Sequence, residues 1–91
     1  MKTENMDEDA KRRESAGEGG ARSVTRALRM LHEVASREAG VTLSDVARSV
    51  ELPVTTTARL LKTLEQAGFL VRETSGRYRA GAKILQIGQS L

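Results

Sequence analysis

Cysteine and tryptophan are absent from the 91-residue sequence, and histidine and proline occur once each. Without cysteine, disulfides and thiolate metal sites are excluded, so apolar packing must hold the fold together. No apolar run approaches the ~18 residues that a membrane-spanning helix needs, and no segment has the pattern of a signal peptide. The sequence therefore predicts one small cytoplasmic domain without a membrane partner.

Groups suited to catalysis are also scarce. An enzyme needs a nucleophile, an acid or a base held in place by partners. The one histidine, His32, has no second metal ligand beside it, and the carboxylates are scattered rather than gathered around a glycine-rich loop. We therefore expect no enzyme, no cofactor and no metal site, and we interpret His32 as a polar residue on a helix.

Positive charge is unevenly distributed along the chain. Residues 1–22 hold five basic and six acidic side chains, whereas residues 53–83 hold six basic and two acidic ones. A local positive surface of this kind suits a polyanion such as nucleic acid. A merely solvated basic face would show the same excess, so charge alone leaves both interpretations open.

The N-terminal part of the chain divides into an arm and a helix. Residues 1–22 lack apolar periodicity and are rich in charged residues, glycine and serine, which predicts a disordered arm. From Ser23 to Arg37 apolar residues recur at helical spacing, which predicts a helix with Ser23 as its N-cap. The folded domain is therefore expected over residues 23–81.

Two further helices follow, with a very short turn between them. The first is expected over residues 43–50, behind a capping box in which the Thr42 hydroxyl accepts from a backbone amide. The second is expected over residues 54–67, with Pro53 suited to the first helical position and Gly68 as the left-handed residue after its end. A turn of about three residues forces two helices to cross steeply and pack as one unit.

The C-terminal third is predicted to form a hairpin and a last helix. Short extended runs on either side of Gly76, a residue free to adopt a positive φ, predict a hairpin over residues 70–80. Alternation along its second strand points Tyr78 toward the core. The order of helix, helix, tight turn, helix and hairpin is that of a winged helix-turn-helix, which is mainly α with a small β-hairpin.

The third helix carries side chains suited to DNA. The major groove is about 12 Å wide and admits one helix, whose N-terminal turns approach the base edges. Thr55 and Thr56 offer methyl and hydroxyl groups at that end, whereas Thr57 is expected to face inward. Arg59 suits a bidentate contact with guanine, and Lys62 suits a phosphate. The helix is therefore predicted to lie in the major groove of double-stranded DNA.

Other polar residues are expected to contact DNA outside the major groove. The outward-pointing arginines of the hairpin, or wing, are predicted to reach the flanking backbone or the minor groove, and residues of the first two helices are predicted to contact phosphates. The complete predicted set is Ser23, Arg26, Ser44, Thr55, Thr56, Arg59, Lys62, Arg72, Arg77 and Arg79. Each residue taken singly could be an ordinary solvated side chain, and it is their combination that favours DNA.

Several segments resemble IclR-type transcriptional regulators. Residues 23–31 (SVTRALRML) are similar to the opening helix of that family, residues 52–65 (LPVTTTARLLKTLE) to its recognition helix, and residues 78–81 (YRAG) to the second strand of its wing. The resemblance implies an operator in double-stranded DNA as partner, and a homodimer whose first and last helices make the contacts between subunits. It also implies a small-molecule effector, sensed by a C-terminal domain that this chain lacks. Residues 82–91 then begin a linker helix. The chain is expected to be either a fragment or an isolated domain, and the abrupt end of the apolar pattern at Leu91 favours a fragment.

Two positions depart from the family pattern. Glu51 lies where the turn between the second and third helices often carries glycine. A non-glycine residue at positive φ costs on the order of 1 kcal/mol, so a slightly different turn is expected there. Ala80 replaces a larger apolar residue, which thins the packing beneath the wing. Neither residue belongs to the predicted DNA-contacting surface.

A winged-helix module that binds another protein instead of DNA is the alternative function. Such modules usually present acidic or apolar residues on the outer face of the third helix. Here the outer face carries Thr55, Arg59, Lys62 and Gln66. This composition favours DNA binding, either in the IclR family or in another family of winged-helix regulators.

Overall fold

The computed structural model describes residues 20–91, and most of the predicted arm, residues 1–19, lies outside the described residues. The first helix, α1, occupies residues 20–35 of the described chain. The expected helix start at Ser23 is therefore wrong, because Ser23 lies inside α1. Ala21 and Arg22, which precede Ser23, are both strong helix formers. The helix therefore includes them and is already present at residue 20.

The second helix, α2 (Leu43–Val50), begins at the predicted capping box. The Asp45 backbone N–H donates to the Thr42 Oγ1 at 3.2 Å. The Thr42 hydroxyl, together with the Thr42 backbone N–H and the Arg48 guanidinium, lowers the pKa of the Asp45 carboxyl. One backbone N–H in the first turn of α2 is thus satisfied by the Thr42 side chain.

The third helix, α3 (Val54–Gln66), begins one residue after the only proline. Pro53 is the N-cap, with ψ 148°, so the prediction that it takes the first helical position is wrong. Proline has no N–H to satisfy at either position. At the N-cap its carbonyl accepts both the backbone N–H and the hydroxyl of Thr57, each at 3.0 Å.

Both α2 and α3 end in the same kind of turn. A left-handed residue follows each helix, with φ 57° at Glu51 and 88° at Gly68. The next backbone N–H then reaches back five residues to a carbonyl, at 3.1 Å after Glu51 and 3.0 Å after Gly68, which is the Schellman motif. Gly68 is confirmed as the left-handed residue. The expectation of a different turn at Glu51 is wrong, since Glu51 adopts the conformation that glycine favours.

The wing is an antiparallel hairpin of β1 (Leu70–Arg72) and β2 (Tyr78–Ala80), with the first residue of β1 opposite the last residue of β2. Gly76 in the connecting turn has φ 90°, as predicted. A third segment joins the hairpin, because Val41 and Tyr78 exchange backbone hydrogen bonds of 3.0 and 2.8 Å. No local sequence pattern indicates this pairing, which ties the wing to the connection between α1 and α2.

The last helix, α4 (Ala82–Ser90), is held against the turn that follows α3. The N–H of Gly81 donates to the Phe69 carbonyl at 2.8 Å. A Cβ atom at Gly81 would lie 2.6 Å from the carbonyl oxygen of Gly68. Only glycine permits so close an approach, so Gly81 fixes where α4 starts.

A core of buried apolar residues joins the three helices of the helix-turn-helix to the wing. Its members are Met30, Val34, Val41, Val46, Val50, Leu61, Leu70 and Tyr78. The architecture is therefore the predicted winged helix-turn-helix, mainly α with a small hairpin. Within residues 20–91, no helix combines the length and the apolar character needed to cross a membrane.

Candidate nucleic-acid interface

The outer face of α3 consists of Thr55, Arg59, Lys62 and Gln66, and all four residues are exposed. Their spacing of four, three and four residues places them on one side of the helix. The opposite side of α3 packs into the core, which fixes the direction in which this face points. The structure thus brings together three of the four α3 residues that the sequence predicted to contact DNA, Thr55, Arg59 and Lys62, with Gln66 as a further exposed residue.

The three threonines at the start of α3 differ in burial. Thr55 is exposed, Thr56 is half-buried, and Thr57 is wholly buried with its hydroxyl donating to the Pro53 carbonyl. The predicted inward orientation of Thr57 is confirmed. Thr55 therefore has its side chain most accessible to a ligand.

The cationic side chains on α3 have no acidic partner among the described residues. The ion pairs of residues 20–91 are Arg37–Glu33, Arg48–Asp45 and Arg79–Glu73. Arg59 and Lys62 belong to none of these pairs, so their charges are available to an anion. The described residues also contain no group of three His, Cys, Asp or Glu side chains that could hold a metal ion.

The N-terminus of α3 is uncapped, unlike that of α2. Pro53 provides no side-chain hydrogen bond, and the first turn of α3 contains no acidic residue. The backbone N–H groups of a first helical turn carry a partial positive charge. The end of α3 therefore adds to the positive potential of its outer face and offers no carboxylate to repel a phosphate.

The arginines of the wing are engaged with the protein itself. Arg77 Nη1 donates to the Gly40 carbonyl at 3.3 Å, and Arg79 Nη2 donates to the Glu38 carbonyl. Tyr78, between them, is buried, so the predicted alternation along β2 is confirmed. These bonds could not be predicted from the sequence, because the donors lie 37 and 41 residues from their acceptors. No local sequence pattern indicates a contact over that separation.

Arg72 occupies the other strand of the wing. Its guanidinium carbon lies 5.5 Å from the centre of the Tyr78 ring, within the range of a cation–π contact. Arg72 is itself exposed. Its charge therefore stays at the surface while its position is set by the aromatic ring.

Three of the predicted DNA contacts lie on α1 and α2 and not on α3. Ser23 and Ser44 are exposed, and Arg26 is half-buried. Arg26 shares an open cleft on α1 with Arg22 and Arg29, which the predicted set did not include. Their spacing of four and three residues along one helix was the signal available in the sequence.

An apolar groove of about 320 Å³ lies between α1 and α4. It is lined by Leu28, Leu31, His32, Ala35, Phe69, Ile84 and Ile87. Leu28 and Ile87 remain 58% and 52% exposed, respectively. Apolar side chains of α1 and α4 therefore remain accessible along this groove.

The family match and the similar proteins all point to one family of proteins. Residues 23–74 match the IclR helix-turn-helix domain. A glycerol operon regulatory protein of Streptomyces coelicolor is 42% identical over 67 residues, which cover 72% of this chain and 26% of that protein. The transcriptional repressor IclR of Escherichia coli is 38% identical over 74 residues, which cover 79% of this chain and 27% of the repressor.

Solved structures agree with these relatives. HmgR of Pseudomonas aeruginosa superposes with a TM-score of 0.70 at 27% identity, over 76% of this chain and 29% of that protein. An IclR-family structure from Rhodococcus gives a TM-score of 0.69 at 28% identity, over 78% of this chain and 28% of the other. The chain thus spans between 26% and 29% of the length of these four proteins. Because the family match covers more than half of its residues, the chain belongs to the IclR helix-turn-helix family and carries the DNA-binding domain of a transcriptional regulator.

Proposed function

We propose that this domain recognises a specific operator in double-stranded DNA, with α3 in the major groove and the wing on the flanking backbone or the minor groove. The observation that carries the proposal is the outer face of α3, which is exposed, cationic and without an acidic partner among the described residues. A helix of this kind fits the width of the major groove.

The side chains of α3 are assigned distinct roles. Arg59 donates two hydrogen bonds to guanine O6 and N7, a contact that discriminates against other bases by about 1–3 kcal/mol. Lys62, farther from the N-terminus of α3, pairs with a phosphate and carries no sequence information. Thr55 and Thr56 approach the base edges through a methyl or a hydroxyl group.

The wing and the first two helices supply the remaining contacts. Arg72, Arg77 and Arg79 reach phosphates beside the major-groove site. For Arg77, a guanidinium–phosphate pair is stronger than its bond to the Gly40 carbonyl. Arg79 exchanges both its bond to the Glu38 carbonyl and its 3.7 Å ion pair with Glu73. The positions on α1 and α2 assigned to phosphates are the exposed Ser23 and Ser44 and the half-buried Arg26.

A second copy of the chain is the proposed occupant of the apolar groove between α1 and α4. Leu28 on α1 and Ile87 on α4 are among its exposed apolar residues, and a two-fold dimer buries the same patch on both subunits. Such a dimer binds two symmetric half-sites, so the operator is expected to be nearly palindromic.

The regulatory role is proposed from the relatives. Those that match this chain include the transcriptional repressor IclR of Escherichia coli and an acetate operon repressor of Salmonella typhimurium. We expect this domain to act by occupying promoter DNA in the cytoplasm, without catalysis or a cofactor. A small-molecule effector would act through a domain outside the present chain.

The test is selection from a random pool of duplexes followed by a salt titration. The purified chain should enrich a sequence with symmetric half-sites. The logarithm of the binding constant should then fall linearly with the logarithm of salt concentration, with a slope of about −0.9 per phosphate contact. Absence of binding at about 50 mM salt, where such contacts are strong, would contradict DNA recognition and favour a protein partner.

A further inference from the structure

The first turn of α3 exposes an apolar side chain beside the polar outer face. Val54, the first residue of α3, is 50% exposed. Ala58, four residues later, is half-buried on the same side of the helix. Together with the methyl group of the neighbouring Thr55, these side chains place several methyl groups at the N-terminal end of α3. In the proposed function this is the end of α3 that approaches the bases.

Packing does not explain why a valine occupies this position. The first turn of α3 is anchored by the buried Thr57, and Leu52 before the helix packs against the core. Val54 belongs to neither the core nor the residues packed against it. A β-branched residue is also a weaker helix former than alanine. Folding alone would therefore accept a smaller or more polar residue here.

The chemistry of the major groove supplies a partner for exposed methyl groups. Each base pair presents hydrogen-bond donors and acceptors there, and the C5-methyl of thymine is the apolar group among them. The N-terminal residues of a recognition helix are those that reach the base edges. Because the first turn of α3 contains no acidic residue, it can also approach the phosphate backbone without repulsion.

We propose that Val54 is a specificity-determining residue that reads thymine through its C5-methyl group, with the Thr55 methyl beside it. The inference rests on the proposed function, since it assigns one base of the operator to one side chain of α3. It assigns Val54 to thymine, whereas Arg59 reads guanine through hydrogen bonds.

Deoxyuridine provides a probe that removes the methyl group and nothing else. The probe is the duplex that the wild-type chain selects from a random pool, with each thymine replaced singly by deoxyuridine. Binding is measured by fluorescence anisotropy at fixed salt. Burial of one methyl-sized group corresponds to roughly a fourfold change in affinity. We expect one thymine in each half-site to show a loss of this size.

Substitution of Val54 then identifies the side chain responsible. In Val54→Ala, deoxyuridine at that thymine should no longer weaken binding, so the ratio of affinities for the thymine and deoxyuridine duplexes should be about one. In Val54→Thr, which retains one methyl group, this ratio should lie between those of Val54→Ala and the wild type. Val71→Ala is the matched control, because Val71 is also 50% exposed but lies on β1 of the wing. Its deoxyuridine profile should equal that of the wild type. Thermal unfolding of each variant verifies that the domain is folded.

The outcomes separate the inference from the function on which it rests. Enrichment of a sequence whose deoxyuridine duplexes all bind like the thymine duplex would overturn the inference and leave DNA recognition intact. An undiminished deoxyuridine loss in folded Val54→Ala would also overturn it, because another side chain would then contact the methyl. Failure to enrich any sequence would overturn both.

Discussion

Two basic surfaces of this domain differ in what holds their arginines. On α3, Arg59 has no acidic partner among the described residues, so a contact with DNA adds an interaction. On the wing, Arg77 and Arg79 already donate to the carbonyls of Gly40 and Glu38, so a contact with DNA replaces one. The difference implies that substitutions of Arg59 and Lys62 on the outer face of α3 change DNA binding alone, whereas substitutions of Arg77 and Arg79 on the wing also change stability.

The largest expected effect concerns Arg59. In Arg59→Ala the affinity for the selected operator should fall roughly 5- to 150-fold, because a bidentate contact with guanine is worth about 1–3 kcal/mol. The preference over other sequences should fall with it, while the melting temperature stays within a few degrees of the wild type, since exposed substitutions are usually within about 0.5 kcal/mol. Anisotropy titrations and thermal unfolding measure the two quantities.

Lys62→Ala is the matched control on the same helix. It should weaken binding to all sequences about equally and reduce the salt slope by about 1, as expected for a phosphate contact. If Arg59→Ala and Lys62→Ala weakened every sequence to the same degree, the assignment of Arg59 to a base would be wrong.

Substitutions on the wing, unlike those on the outer face of α3, should lower the stability of the domain as well as its DNA binding. The double substitution Arg77→Ala and Arg79→Ala removes two bonds to the connection between α1 and α2 and the ion pair of Arg79 with Glu73. Because these side chains are partly solvated, we expect a loss of only about 1 kcal/mol in unfolding free energy, together with weaker, less salt-dependent DNA binding. Denaturant unfolding and salt titration measure both effects. An unchanged unfolding free energy would show that the wing is held by its backbone pairing alone and would remove the contrast with α3.

The turn before α3 offers a substitution that leaves both basic surfaces intact. Glu51 and Gly68 adopt the same left-handed conformation, which is unfavourable for a residue with a Cβ atom. Glu51→Gly should therefore raise the unfolding free energy by roughly 0.5–1 kcal/mol, after the greater chain entropy of unfolded glycine is subtracted. The selected DNA sequence should not change. A destabilised variant would mean that the Glu51 side chain makes a favourable interaction larger than its backbone strain.

The smallest effect concerns the capped N-terminus of α2, in contrast to the uncapped α3. Hydrogen bonding to the Thr42 hydroxyl lowers the pKa of Asp45 from its ordinary value in the folded state. A lowered pKa stabilises the fold above the unfolded value, and this contribution is lost as the pH falls through the folded pKa. The difference in unfolding free energy between wild type and Asp45→Asn should thus be present at neutral pH and shrink below about pH 4. A difference independent of pH would mean that the Asp45 charge contributes nothing.

Local patterns predicted most of the domain. Helices α2 and α3, the hairpin, the left-handed Gly68 and the inward Thr57 all follow from residues that lie within a few positions of one another. The outer face of α3 was predictable for the same reason, because helical spacing alone decides which side chains share a side.

The features that the sequence did not reveal depend on distant partners or on competing choices. The pairing of Val41 with Tyr78 joins segments 37 residues apart. Glu51 adopts the left-handed conformation that lets the Leu52 N–H bond the Ala47 carbonyl at 3.1 Å, against the preference of a residue with a Cβ atom. At Pro53, either the N-cap or the first helical position satisfies a residue without an N–H, so the sequence does not distinguish them.

The most direct test of the central claim is a titration of the ¹⁵N-labelled chain with its selected duplex, followed by NMR. We expect the largest amide shifts in residues 54–62, and smaller ones in residues 72–79 of the wing and around Ser44. Largest shifts in the groove between α1 and α4, with residues 54–62 unmoved, would show that another face binds DNA and would contradict the account.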